Sequence, residues 1–283
     1  MKTPNLIAAS LCSLLLTACV MQQPTDQQVT PTISQPVTTT YQANDIQKEY
    51  KDAGLTELTI TTDGVKEQII EHMAYTVSYN STWNEPNWVA WELTREECSA
   101  QRGRNQDFEP DPQVKGKRIT THDYSRSGYT RGHMAPAGDM KWSEKAMNEC
   151  FYTSNICPQD KELNAGLWED VESRSRYWAK RYGKLWICCG PIVQDLHKNV
   201  KNKIAVPSHF FKVVCTEDKG KYYAMGFVFP NENCKGDIWK YAYSVDEIEE
   251  LTGHDFFHNL PDNIENRIES DEQFQFWRRR PRN

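Results

Sequence analysis

At 283 residues the chain has room for one large domain or two small ones, and 38% hydrophobic residues with nine tryptophans exclude wholesale disorder. No internal stretch approaches the roughly 20 consecutive apolar residues that span a bilayer. The net charge of −6 disfavours a nucleic-acid partner at first sight, but residues 98–203 carry 18 Lys and Arg against 13 Asp and Glu. Such a basic middle is either an electrostatic footprint for phosphate or a set of ordinary solvated helix faces, and charge alone does not separate the two.

Residues 1–18 have the form of an export signal. Lys2 precedes a mostly apolar run over residues 6–16, too short for a transmembrane helix and suited to a signal h-region. Leu16-Thr17-Ala18-Cys19 resembles the lipobox of bacterial lipoproteins. That resemblance implies a lipidated Cys19 as the first mature residue, anchoring the protein to a membrane of the bacterial cell envelope; an ordinary signal peptide cleaved at a nearby alanine is the alternative. Residues 19–45, rich in Gln, Thr and Pro, cannot bury enough apolar surface to order themselves and read as a tether. Residues 46–283 are left for the folded domain.

Within that domain, residues 69–79 carry the alternation Met73, Tyr75, Val77, Tyr79 of a strand. Asn84-Glu85-Pro86-Asn87 reads as a turn and residues 88–93 as a second strand. Residues 102–116 are polar and proline-broken, an exposed loop, and residues 143–150 form a short helix capped by Ser143. Residues 163–182 set Leu163, Leu167, Val171, Tyr177 and Trp178 among charges, the clearest amphipathic helix in the chain, ended by Gly183. Residues 185–192, 210–215 and 222–229 are strand-like, and Ser244-Val245-Asp246-Glu247 is a capping box opening a last short helix closed by Gly253. The basic cluster Trp277-Arg278-Arg279-Arg280-Pro281-Arg282 reads as a frayed tail. Interspersed strands and helices with hairpin-length links predict an α+β fold, a mainly antiparallel sheet flanked by helices.

Cysteine usage follows from export. Once Cys12 leaves with the signal and Cys19 takes the lipid, seven cysteines remain, an odd number that leaves at least one unpaired. Buried thiols with one or two disulfides are expected, with Cys188 and Cys189 on opposite faces of one strand. No C-x-x-C pair is present to nucleate a zinc site.

Phosphodiester hydrolysis needs a base to deprotonate water, positive charge to stabilise the five-coordinate phosphorus, and support for the leaving oxygen. Arg131-Gly132-His133 supplies two of these residue types, since histidine titrates near neutral pH and arginine makes bidentate bonds to phosphate. Read alone, the tripeptide is more often a turn with a satisfied histidine. The text around it is more specific. Tyr129-Thr130-Arg131-Gly132-His133-Met134-Ala135-Pro136 is followed in order by Asn155-Ile156-Cys157-Pro158-Gln159, Leu163-Asn164, Trp168 and Glu172. Together these resemble the DNA/RNA non-specific endonuclease family, with its ββα-metal active site, over residues 74–260.

The resemblance implies roles position by position. His133 would be the general base that activates water. Asn164 would be the single protein ligand of Mg²⁺, for which Mn²⁺ could substitute, and Glu172, eight residues on along one helix, would hold a metal-bound water. Asn155 and Arg131 would support the site and the phosphate, and Arg104, in Arg104-Asn105 followed by Asp111-Pro112, would contact the phosphate. The substrates implied are DNA and RNA cut without strong sequence preference to 5′-phosphate and 3′-hydroxyl ends; homodimerisation is left open. One position departs from the family, which usually has an acidic residue where this chain has Thr130, and that puts catalytic efficiency in question. Two other readings remain: a lipoprotein that binds nucleic acid without cutting it, and a disulfide-bearing envelope interaction module.

Overall fold

Runs of β-branched and aromatic residues favour extended backbone, and here they pair into one sheet. The computed structural model describes residues 56–103, 107–270 and 273–278, so the signal, the tether, Cys19, Arg104 and the last arginines lie outside the described residues. In chain order the elements are β1 (Thr59–Ile60), β2 (Gln68–Glu71), β3 (Thr76–Asn80), β4 (Glu85–Thr94), α1 (Thr121–Tyr124), β5 (Thr130–His133) and α2 (Glu144–Glu149). There follow β6 (Ile156–Gln159), α3 (Lys161–Asn164), α4 (Leu167–Tyr182), β7 (Lys184–Ile192), β8 (Asn199–Val200), β9 (Ile204–Ala205), β10 (His209–Asp218) and β11 (Lys221–Pro230). The chain continues through β12 (Ala242–Tyr243), α5 (Val245–Thr252), β13 (Asp255–Phe256), α6 (Asp262–Glu269) and α7 (Phe274–Trp277). Seven strands form an antiparallel sheet in the order β12-β11-β10-β7-β4-β3-β2.

Both faces of this sheet are covered. Alternation sends Leu185, Ile187 and Cys189 of β7 to one side and Cys188 to the other, as the sequence predicts. On the first side α4 lays Trp168, Val171 and Trp178 against Trp91, Phe210 and Phe227. Truncating a buried aromatic of this size typically removes about 3–5 kcal/mol, so these rings fix the helix on the sheet. On the second side Val245 and Ile248 of α5 and Ile268 of α6 cover Phe211, Val213 and Ala224. The α+β architecture expected from the sequence is therefore the one found. Among the described residues no helix is long and apolar enough to cross a membrane.

Several local expectations need correcting. The strand over residues 69–79 is two strands, β2 and β3, joined by a turn in which His72 N–H donates to the Tyr75 carbonyl at 2.9 Å. Asn84, at φ 59°, makes the turn before β4, while Glu85 to Asn87 already belong to the strand. The long helix begins at Leu167, not 163: Ala165 and Gly166 break it, and a Cβ on Gly166 would lie 2.6 Å from the Glu162 carbonyl oxygen. The tail is docked as far as Arg278, because Trp277 is buried and its carbonyl accepts from Trp178 Nε1 at 3.1 Å. All seven cysteines are free thiols, six of them buried, so none of the expected disulfides forms among the described residues. The Ser143 and Ser244 caps and the left-handed Gly253 stop are as the sequence predicts.

The α5–α6 side carries a titration consequence. Asp246, Glu249 and Glu269 bring carboxylate oxygens within 4.8 Å of one another. Burial, reinforced by Glu249 and Glu265, pushes Glu269 up to about 9, and burial pushes Glu249 up to about 7. In the unfolded chain both ionise near 4.5. The folded state therefore holds more protons across that window, and stability falls as pH rises through it. Glu269→Gln should raise Tm by a few degrees above pH 8, on the scale of roughly 2–4 °C per kcal/mol, and leave it unchanged near pH 4. Thermal unfolding followed by circular dichroism across pH checks this; a variant destabilised at high pH would refute it.

Candidate active site

β5 and β6 form a separate antiparallel ribbon in which Thr130, Arg131, Gly132 and His133 face Gln159, Pro158, Cys157 and Ile156. Strand alternation puts Arg131 and His133 on one face and Gly132 on the other. Phe108 marks the first face, its ring 5.3 Å from the His133 ring and 5.6 Å from the Arg131 guanidinium carbon. On the opposite face a Cβ at Gly132 would come 2.2 Å from Gln159 Oε1 and 2.6 Å from Gln159 Cβ. Glycine is needed between the two functional side chains because Gln159, fully buried, fills that space.

His133 is half-buried, with its ring edge-on to Phe151 at 4.9 Å. Its carbonyl accepts from Trp168 Nε1 at 3.1 Å, which ties β5 to α4. Among the described residues Arg131 donates one hydrogen bond, from Nη2 to the Thr121 carbonyl at 2.8 Å. The rest of its planar fork of five donors is not spent there, and bidentate phosphate contacts use such a fork.

Asn155 is sealed. Its Oδ1 accepts from Ala135 N–H at 2.9 Å, while Nδ2 donates to the Ala135 carbonyl at 2.9 Å and the Cys150 carbonyl at 2.8 Å. With every polar atom of its side chain on backbone, Asn155 fixes the turn after His133 rather than facing a phosphate. The loop that carries Phe108 is held in a similar way. Buried Asp111 takes hydrogen bonds from Ser154, from Gln113 N–H at 2.8 Å and from His72 Nε2 at 3.0 Å. Burial alone would raise its carboxyl, but the His72 and Ser154 bonds hold it below the usual range.

Asn164 ends α3, and its Nδ2 donates to Thr130 Oγ1 at 3.1 Å. The Thr130 hydroxyl gives its single proton to the Gln159 carbonyl at 2.8 Å, so only its lone pairs face Asn164. That fixes the amide: its nitrogen meets Thr130, and Asn164 Oδ1 accepts no hydrogen bond among the described residues. The residue that departs from the family pattern thus orients the neighbouring asparagine.

Glu172 lies on α4, beyond the break, and not eight residues along one helix from Asn164 as the sequence suggests. It is half-buried and makes no ion pair among the described residues. Burial pushes its carboxyl up to about 7, opposed by Lys212 and Arg176 and reinforced by Asp139. Arg176, one turn further on, binds buried Asp139 at 2.9 Å. Sequence reasoning passes over Arg176, although its i+4 spacing from Glu172 puts the two charges on one helix face.

The oxygen donors Asn164 Oδ1 and Glu172 suit a hard divalent cation. Among the described residues the one trio of His, Cys, Asp or Glu close enough to hold an ion is the Asp246 group, on the other side of the sheet. A metal at the candidate site would therefore rely on Asn164 together with water and phosphate oxygens, the mode Mg²⁺ favours.

Comparison with known proteins agrees with this geometry. The model of the DNA/RNA non-specific endonuclease family matches residues 56–263. "Nuclease EXOG, mitochondrial" of Xenopus laevis is 35% identical over 208 residues, 67% of this chain and 58% of that protein. Its Danio rerio counterpart is 37% identical over 216 residues, 69% of this chain and 63% of that protein. The chain thus spans about three fifths of the length of these curated relatives. The crystal structure of an EndoG/EndoGI complex, solved for the mechanism of EndoG inhibition, matches with a TM-score of 0.64 at 31% identity, over 70% of this chain and 89% of that one. With motif order, ββα geometry and a family match across most of the folded region in agreement, this chain belongs to the DNA/RNA non-specific endonucleases.

Proposed function

We propose that the protein is a metal-dependent endonuclease that hydrolyses phosphodiester bonds of DNA and RNA without strong sequence preference. The observation that carries this reading is the double tie between β5 and the α3–α4 segment. Asn164 is held by Thr130, and Trp168 by the His133 carbonyl. These contacts tie α3, which carries the proposed metal ligand, and α4 to the strand that carries the proposed base.

In this mechanism His133 takes the proton of the attacking water, held by its packing against Phe151 and Phe108. Arg131 directs its unspent donors at the phosphate, and Arg104 assists it. Asn164 Oδ1 would hold Mg²⁺, or Mn²⁺ in its place, with Glu172 accepting from the hydration water. Bound there, the ion supplies Lewis-acid and leaving-group support. Asn155 keeps His133 and the following turn in place. The products are 5′-phosphate and 3′-hydroxyl ends.

Incubating the purified protein with plasmid DNA and structured RNA, in Mg²⁺ or in EDTA, is the deciding experiment. Absence of metal-dependent cleavage near neutral pH overturns the reading. The alternative of a protein that binds nucleic acid without cutting it rested on Thr130, and the Thr130–Asn164 contact gives that residue a positive role.

The proposal extends to location. The Leu16-Thr17-Ala18-Cys19 segment supports export and lipid anchoring at Cys19 in a bacterial envelope, with the Gln- and Thr-rich segment after it as a tether. Cys19→Ala should move the protein from the membrane fraction to the soluble fraction. Wild-type and variant protein fractionating alike would remove the anchor from the account.

A further inference from the structure

Lys212 is fully buried in β10, between Phe210 and Val214 on the face that α4 covers. Its ammonium lies 4.6 Å from the Trp168 ring centroid and 5.0 Å from that of Trp91. Among the described residues it finds no carboxylate or carbonyl within hydrogen-bonding distance, and its polar neighbour is the Cys189 thiol. A buried cation without such a partner is costly, and cation–π contact with two indoles recovers only part of that cost. Methionine would fill the same volume at no electrostatic cost, so stability does not account for the charge.

What the charge touches suggests another account. Trp168, one wall of the cage, donates to the His133 carbonyl. Trp91, the other wall, donates from Nε1 to Asp139 Oδ2 at 3.2 Å, and Asp139 binds Arg176. We propose that Lys212 is a positioning residue of the candidate site: its ammonium braces Trp168, and through it His133. The proposal rests on the nuclease reading for its kinetic consequences but not for the packing of the cage.

Lys212→Met is the test. The expected result is a folded protein at least as stable as wild type, with kcat lowered about 10-fold or more and KM little changed. Lys212→Arg, which keeps the charge over the two indoles, should restore kcat. An unchanged kcat in Lys212→Met overturns the proposal, as does a loss of kcat that Lys212→Arg fails to restore. If neither Lys212→Met nor Lys212→Gln folds, the lysine is a structural necessity and the positioning role is likewise refuted. Should the wild type not cleave nucleic acid at all, the proposed function fails separately. The indole ¹H–¹⁵N signal of Trp168, in wild type and Lys212→Met without substrate, then decides the positioning role by whether its hydrogen bond to the His133 carbonyl is disturbed.

Discussion

His133→Ala is expected to lower plasmid cleavage by at least about 10²–10⁴-fold at saturating Mg²⁺, the usual worth of a positioned general base. Folding should be little affected. The imidazole is half-buried and packs on Phe151 and Phe108, but the tie to α4 runs through the His133 carbonyl, which alanine retains. A shift in Tm of only a few degrees is therefore expected. Cleavage kinetics paired with thermal unfolding check both halves. A variant that cleaves at the wild-type rate would remove His133 from the mechanism.

Asn164 and Thr130 form the second large-effect pair. Asn164→Ala deletes the proposed ligand oxygen and should abolish cleavage at low Mg²⁺, with partial recovery as the ion is raised. Thr130→Val keeps the shape but removes the hydroxyl, leaving the Gln159 carbonyl without its donor and the Asn164 amide without its acceptor. The Mg²⁺ concentration for half-maximal activity should then rise by about 10–100-fold, the range typical of groups that orient a ligand. Thr130→Ser should behave as wild type. Thr130→Asp is informative because a carboxylate can accept from Asn164 but cannot donate to the Gln159 carbonyl. Metal titrations of the four variants measure this; equal Mg²⁺ dependence in Thr130→Val and wild type would show that the contact does not orient the ligand.

Much of the local structure was legible in the chain because it depends on local chemistry. The Ser143 and Ser244 caps and the Gly253 stop each depend on residues within about one turn, so sequence spacing suffices. The opposite faces of Cys188 and Cys189 follow from strand alternation alone. The errors fell where a distant partner decided. Strand pattern over residues 69–79 could not reveal the hairpin turn, because the His72 side chain there is held by Asp111 and the turn lies against Glu149. The helix expected from Leu163 is interrupted at Gly166, where the chain comes too close to Glu162 for a side chain. The tail looked frayed because its charges hide that Phe276 and Trp277 insert beside Trp178 and Tyr182.

For Arg131-Gly132-His133 and its partners, the sequence by itself determined which chemical groups are present, their order along the chain, the family they resemble and the α+β class. Only the tertiary structure decided what each group does to its neighbours. Thr130 looked like a loss of charge until Asn164 was found against its hydroxyl. Asn155 was a support for the site in general terms until its amide proved to be spent on the backbone of Ala135 and Cys150. Lys212 gave no signal within an apolar strand until Trp91 and Trp168 closed over it. The physical reason is common to all three. Residue type and spacing set what a side chain can do, whereas hydrogen-bond saturation and burial, which set what it does, depend on groups brought from distant parts of the chain.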